Sequence, residues 1–362
     1  MGLMLVGCGK SKPTKKLRYG IYELGTNLNP FFYTGENDKT ILNLSFITLF
    51  AKDRNGELVY DISDVYGKEI NGFTYNAPAS LKVTSEDENY IYTINLKENI
   101  YSSSGDEYTI NDLIFDFYVL FDPSSNLDSY KNLPLQGLNE YYLDLKDNSK
   151  YNDAHIEGII KRNKTSMSLV MTRELTNEEK KLLNIYLVPK NIIDTKVNFS
   201  YDVNLFGFKK GDISNLKSKS LVQLSTGPYI ITSSSENKVT LKRNQAYYFG
   251  MAKTEFIDII KINNRKYDED GYTISGGDPF YQIDKDWMDF ALVEINDTTL
   301  DEIPRYNRND KLIGNSLSLF EISGTTKGIV YSSDRFDGSI LSSLGLNDHH
   351  TILDEIAYIK TK

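Results

Sequence analysis

Cysteine is all but missing: Cys8 is the only one in 362 residues, which rules out a disulfide within the chain. Histidine is almost as scarce, at three residues, His155, His349 and His350. The adjacent pair in "NDHH" has no further His or Cys motif to complete a four-ligand metal set, and it reads as an exposed loop. No apolar run approaches the ~20 residues that a membrane-spanning helix needs. G-x-S-x-G, Walker and H-E-x-x-H patterns are all missing, so no nucleophile–base set or metal-hydrolase motif points to catalysis. Carboxylate pairs such as Asp268 and Asp270 carry no weight in a chain with 50 acids. Positive charge is also in deficit: a net charge of −9 argues against nucleic acid as a partner.

Aromatic residues, by contrast, are abundant. Twenty-six tyrosines and 17 phenylalanines favour strands and a cleft lined with rings. Hydrophobic content of 40% and charged content of 25% are those of a globular chain, and the length suggests two or three domains. The few basic residues cluster at the start. "KSKPTKKLR" carries Lys10, Lys12, Lys15, Lys16 and Arg18 with no acid, a composition that suits an anionic membrane surface and equally a solvated tail. "LVGC", ending in Cys8, resembles the bacterial lipoprotein processing signal, in which the cysteine is lipidated and becomes the new N-terminus. The polar "GKSKPTKK" would then be a tether. The other reading is an incidental cysteine at a frayed end. Seven residues precede Cys8 and none is basic, less than a full secretory signal contains.

Periodicity divides the rest into alternating strands and helices. Leu17–Gly25 reads as a strand, "NLNPFFYTGENDKT" as a loop and "ILNLSFITLFAKD" as a helix, with Leu42, Phe46, Leu49 and Phe50 on one face. Leu81–Tyr101 reads as a hairpin turned by "SEDEN". Thr109 and Asp112 form a capping box ahead of a helix that Pro123 ends. Thr176 and Glu179 open another helix, Ser225–Gly250 forms a second hairpin, and Glu255–Ile262 is a buried strand. Trp287, the single tryptophan, reads as a core residue.

The order of these pieces resembles the extracytoplasmic solute-binding proteins of peptide ABC importers, the oligopeptide- and dipeptide-binding family 5. The resemblance rests on "NLNP", "FAKDRNGELVYDIS", "YIYTINLKENIYSSSGDEYTINDLIFDF", "STGPYII" with "VTLKRNQAYYFG", "DWMDFALV" and "GIVYSSDRF", and runs from about Arg18 to Tyr331. Ser225 stands where the family has the first Gly of "GTGPY", and Asn111 where it has a small Ala.

The resemblance implies an α/β fold of two periplasmic-binding-protein-like lobes (type II) with an extra small domain. Residues 18–46 and 156–262 would form the first lobe, 47–155 the small domain, 263–362 a partial second lobe, and 1–17 the signal remnant and tether. Family members continue past this chain's end, so a C-terminally truncated relative is expected, weakly stable and prone to self-association. The implied function is capture of oligopeptides outside the cell for uptake, with a peptide ligand, importer membrane subunits and a lipid-anchored membrane surface as partners. No cofactor and no catalysis are implied. The alternative is a transport-incompetent relative acting as a surface interaction protein. By position, Thr34, Gly35 and Glu36 match the family's ligand-facing loop. Gly35 there permits close backbone approach and Glu36 could meet an amine; an ordinary surface loop is the competing reading. Leu292, Val293 and Glu294 would offer backbone groups to a peptide by strand-like pairing. Gly227, Pro228, Tyr229, Arg243 and Asn244, the strongest family marks, read as scaffold. Nickel chelate and oligosaccharide remain open as ligands beside peptide.

Overall fold

The computed structural model describes residues 16–25, 27–53, 57–63, 67–70, 73–143, 155–190, 199–201, 205–206, 210–218, 224–252, 254–262, 279–284, 287–295, 300, 317–321 and 327–332. Cys8, Asp268, Asp270 and the "NDHH" segment lie outside them. Among the described residues no helix is long and apolar enough to cross a membrane.

Two sheets organise the molecule. The larger is built from β1 (Lys16–Ile21), β6 (Tyr229–Ser234), β7 (Lys238–Arg243), β8 (Phe256–Lys261), β9 (Phe290–Glu294), β10 (Leu317–Glu321) and β11 (Lys327–Ser332), in the order β6-β7-β8-β1-β9-β11-β10. Its centre is parallel: β1 runs alongside β8 from Lys16↔Phe256 to Ile21↔Lys261, and alongside β9 at Tyr19↔Phe290 and Gly20↔Ala291. Both flanks are antiparallel. Central strands buried on both faces should be apolar throughout, and "FIDIIK" of β8 comes close: Ile257 and Ile259 join Tyr19 in one core. Ile262, Met288, Ala291 and Val293 form the core of the opposite face with Phe280 and Ile283 of the helix Pro279–Asp284.

The smaller sheet is antiparallel, with β2 (Ala79–Glu86), β3 (Asn89–Leu96), β4 (Ile159–Lys161) and β5 (Ser166–Met171) in the order β2-β3-β5-β4. The β2–β3 hairpin pairs in register from Ala79↔Leu96 to Glu86↔Asn89, and Asp87 takes a positive φ of 53° in the turn that "SEDEN" signals. Helix α2 (Ile110–Leu120) packs on this sheet and is buried on nearly every side. Asp112 accepts from the Thr109 backbone N–H at 2.9 Å and from the Thr109 hydroxyl at 2.6 Å, the expected cap. The second capping box is present too, at Thr176 and Glu179.

Helix α1 (Glu36–Ser45) joins the two halves. Ile41 and Leu44 sit in the core of the large sheet, while Leu42 and Phe46 belong to the core of the small one. The helix therefore begins inside the segment read as a loop and ends before Phe46. Thr48 bridges to Tyr186, so Leu49 and Phe50 are not on a helical face at all. Burial on two sides blurs the single-stripe period that sequence reading relies on.

Two expected boundaries need correction. Strands β4 and β5 lie past residue 155 yet pair with β3 from Tyr90↔Met171 to Asn95↔Ser166, so the small sheet runs on to Met171. Strands β9, β10 and β11 lie past residue 263 yet complete the large sheet beside β1, so residue 263 does not separate a second lobe from the first. Hydrogen-bonded ladders, which cross those positions, decide both. Trp287 is corrected as well: it is 56% exposed, edge-on to Tyr281 at 5.7 Å, rather than in a core.

Candidate functional site

In open α/β sheets, ligands lie outside the carboxyl ends of the parallel strands. Here those ends belong to β8, β1 and β9. The chain leaves β1 through residues 22–35 and enters α1, so the amino end of α1 is at this same end of the sheet. Thr34, Gly35 and Glu36 form that entry, with Gly35 as the extended N-cap (φ −141°) and Glu36 as the first helical residue. Leu292, Val293 and Glu294 close β9 at the same end, because β9 is parallel to β1. Topology thus collects both predicted segments at one edge.

Their backbones differ in what they offer. The β1–β9 ladder stops at Gly20↔Ala291, whereas β11 continues along β9's other side to Glu294↔Lys327. β1 ends at Ile21, the position opposite Leu292 in that register, so on the β1 side of β9 only Val293 and Glu294 have no strand beside them among the described residues. Val293 buries its side chain in the core.

The loop after β1 is fixed by one carboxylate. Asp38, 2% exposed, accepts from the Asn27 N–H at 3.1 Å, the Thr34 N–H at 3.2 Å and the Thr34 hydroxyl at 3.4 Å. Thr34 is thereby committed to positioning the loop. A Cβ on Gly25 would fall 1.9 Å from the Asp38 Oδ1, so a side chain there would displace the latch. Asn29, also buried, donates to the Leu216 carbonyl at 2.7 Å and accepts from the Phe31 N–H at 3.0 Å. The Asn-Pro pair is thus a structural turn. Gly35 faces open space: a Cβ added there would have nothing within 4 Å.

Sequence reading passed over two aromatic residues at this end. Tyr22 and Tyr33, at the two ends of the same loop, are 40% and 39% exposed, and the Tyr33 ring meets Tyr186 edge-on at 5.8 Å. Their signal was available in the abundance of tyrosine, but nothing local separates these two from the others. Arg18 was also missed. Its backbone N–H, Nε and a terminal guanidinium nitrogen donate to Asp289 at 2.7, 3.1 and 2.9 Å, and the Asp289 N–H returns a bond to the Arg18 carbonyl at 2.9 Å. Asp289 is fully buried, so this clamp fixes where β9 starts against β1.

The strongest motif sits at the opposite end of the sheet. Gly227 donates to the Ser45 carbonyl at 2.9 Å, where α1 ends, and Asn244 donates through its side chain to the Gly227 carbonyl at 2.9 Å. Thr226 donates to the Leu187 carbonyl at 2.8 Å and accepts from the Ile47 N–H at 3.3 Å. Ser225, buried where the family has glycine, places its hydroxyl 2.6 Å from the Tyr229 carbonyl and also against the Ser45 carbonyl. "STGPY" therefore ties the large sheet to α1 and to the small-sheet half.

Comparison with known proteins bears on the family and the fold. The family model for bacterial extracellular solute-binding proteins, family 5 (middle), matches residues 76–268. No curated protein matches the chain. Among solved structures, the oligopeptide-binding protein AppA from Bacillus subtilis, in complex with a nonapeptide, is similar at 14% identity and a TM-score of 0.54, over 80% of this chain and 47% of its own. A periplasmic oligopeptide-binding protein from Borrelia burgdorferi is similar at 17% identity and 0.54, over 82% and 50%. NikZ from Campylobacter jejuni, in complex with Ni(L-His), is similar at 16% identity and 0.55, over 86% and 48%. The chain spans about half the length of these structures. The mixed α/β architecture is thus that of the two-lobe binding-protein fold, and the chain belongs to the bacterial extracellular solute-binding proteins of family 5.

Proposed function

We propose that this chain captures oligopeptides outside the cell for an ABC importer, held at the membrane surface by a lipid on Cys8. One observation carries the peptide reading: among the described residues, the β1-side edge of β9 has no strand beside it at Val293 and Glu294, just past Leu292 and at the sheet end where Thr34, Gly35 and Glu36 open α1. An extended peptide satisfies such an edge with its own main chain, which gives affinity with little demand on side-chain identity. Gly35 leaves room for close approach. The first N–H groups of α1 suit a carboxylate or carbonyl of the ligand. Tyr22 and Tyr33 supply ring surface to either side of the peptide. The process is reversible capture, with closure driven by tighter binding to the closed state.

The test is a thermal-shift and native mass-spectrometry screen of the full chain against mixed short peptides, repeated with Gly35→Leu. A ligand that binds only the folded state adds about 2.7 kcal/mol at a hundredfold excess over Kd. A peptide-dependent rise in melting temperature, lost in Gly35→Leu while that variant's own stability holds, is the expected result. Equal peptide response in the two proteins, or none in either, refutes the site.

A further inference from the structure

Trp287 is the most exposed aromatic side chain among the described residues, and the exposed Tyr281 ring lies edge-on to it. Tyr281 belongs to the helix Pro279–Asp284, whose Phe280 and Ile283 are buried against the large sheet. Trp287 follows that helix. The Trp287 and Met288 N–H groups both donate to the Gln282 carbonyl, at 2.8 and 3.2 Å, and the Met288 side chain is fully buried. The turn is fixed from within, and it holds the two rings side by side toward solvent. Ring surface left in water is unfavourable. Trp and Tyr, apolar in body and polar at one tip, favour the boundary between lipid and water.

Topology says which end of the sheet carries these rings. Arg18 and Asp289 are clamped together, Lys16 opens β1 two residues before Arg18, and Trp287 stands two residues before Asp289. Trp287 is therefore at the end where β1 begins, opposite the strand ends proposed for the peptide. Cys8 is eight residues before Lys16, a reach of at most about 29 Å. That stretch carries Lys10, Lys12 and Lys15, and no acid occurs before Glu23. Lys16 and Arg18 are paired with Asp258 and Asp289 and add no net charge. Asp284, Lys285 and Asp286, between the two rings in the chain, sum to −1 against +3 from the three lysines. Aromatic surface and excess positive charge thus meet at one end of the molecule.

We propose that Trp287 and Tyr281 form a membrane-contact site, which seats this end of the protein on an anionic lipid surface. The rings enter the headgroup layer, and the three lysines meet the lipid phosphates. The proposal rests on the surface-anchored reading given above, which brings this end to the bilayer. The peptide edge lies at the other end of the strands, so the contact leaves it uncovered.

Trp287 is the single tryptophan, so its fluorescence reports on the site directly. The experiment mixes the full chain carrying Cys8→Ser, which cannot be lipidated there, with vesicles of equal phosphatidylglycerol and phosphatidylcholine, and with vesicles of phosphatidylcholine alone. The mixed vesicles are expected to bind it, shift the Trp287 emission to the blue and, when brominated lipid is included, quench it. Neutral vesicles should bind about tenfold or more weakly, since each lysine near an anionic surface favours binding. Trp287→Ala should weaken sedimentation with the mixed vesicles by about tenfold. Binding to the mixed vesicles with Trp287 emission unchanged overturns the proposal, as do equal binding to both vesicle types and no binding to either. A blue shift that follows protein concentration without vesicles makes a second copy the occupant and overturns it too. Fatty-acid labelling of the unaltered chain reports on Cys8 separately, so the anchor and the contact site fail or succeed independently.

Discussion

Gly227 gives the sharpest test of how the halves are joined. The expectation from its place before Pro228 is a backbone conformation that side chains avoid. The structure gives a different cause. A Cβ at Gly227 would lie 2.6 Å from the Ser45 carbonyl carbon, 2.7 Å from the Phe46 nitrogen and 2.9 Å from the Ser45 oxygen. All three are main-chain atoms at the end of α1, and they cannot rotate away. Gly227→Ala must therefore separate the "STGPY" turn from α1. Overpacking of this kind costs about 1–3 kcal/mol. Stretching the 2.9 Å Gly227 N–H to Ser45 bond adds about 1 kcal/mol. The sum is about 2–4 kcal/mol, or about a 1 M fall in the urea midpoint for an m-value near 3 kcal/mol/M. Two other glycines serve as controls. Gly105 has open space but φ of +90°, so Gly105→Ala should cost only the left-handed penalty of about 1–2 kcal/mol. Gly35 has open space and an ordinary extended φ, so Gly35→Ala should stay within about 0.5 kcal/mol. Urea unfolding of the three variants, followed by circular dichroism, checks the order. A Gly227→Ala midpoint no lower than that of Gly35→Ala would refute the collision argument.

Three further outcomes are expected. Burial pushes Asp116 well above the usual carboxylate range, against the opposing bonds from the Tyr108 hydroxyl and the Val188 N–H. Burial therefore favours its protonated form and the fold loses stability as pH rises from the unfolded carboxyl value toward the raised folded one, so Asp116→Asn should gain on the wild type by up to about 1.4 kcal/mol per pH unit in that window. Urea midpoints at about pH 5 and about pH 7 check this, and a constant difference would contradict it. Arg18→Met strands the buried Asp289 without its cation and should cost about 3 kcal/mol or more, seen as a lower melting temperature that Arg18→Lys only partly restores. Cys8→Ser should abolish fatty-acid labelling of the chain in cells expressing the full native gene; equal label in both forms would remove the lipid anchor.

Local chemistry made much of this protein legible from its residues. Capping boxes at Thr109 and Thr176, the "SEDEN" turn and the Ser225–Gly250 hairpin depend on neighbours a few positions apart, and each is where the sequence puts it. The family, too, was readable from the order of such pieces. What the sequence could not fix were relations between distant segments. Helix α1 carries apolar residues to two cores at once, so its period pointed to the wrong start and end. The domain limits expected at 155 and 263 gave way to ladders that pair Tyr90 with Met171 and Tyr19 with Phe290. The same holds for the candidate sites. Thr34, Gly35 and Glu36 were expected by position, as were Leu292, Val293 and Glu294. That both segments share one end of the sheet follows only from β9 running parallel to β1. Hydrogen bonds and ladders between segments this far apart in the chain are set by packing, and no local pattern records them.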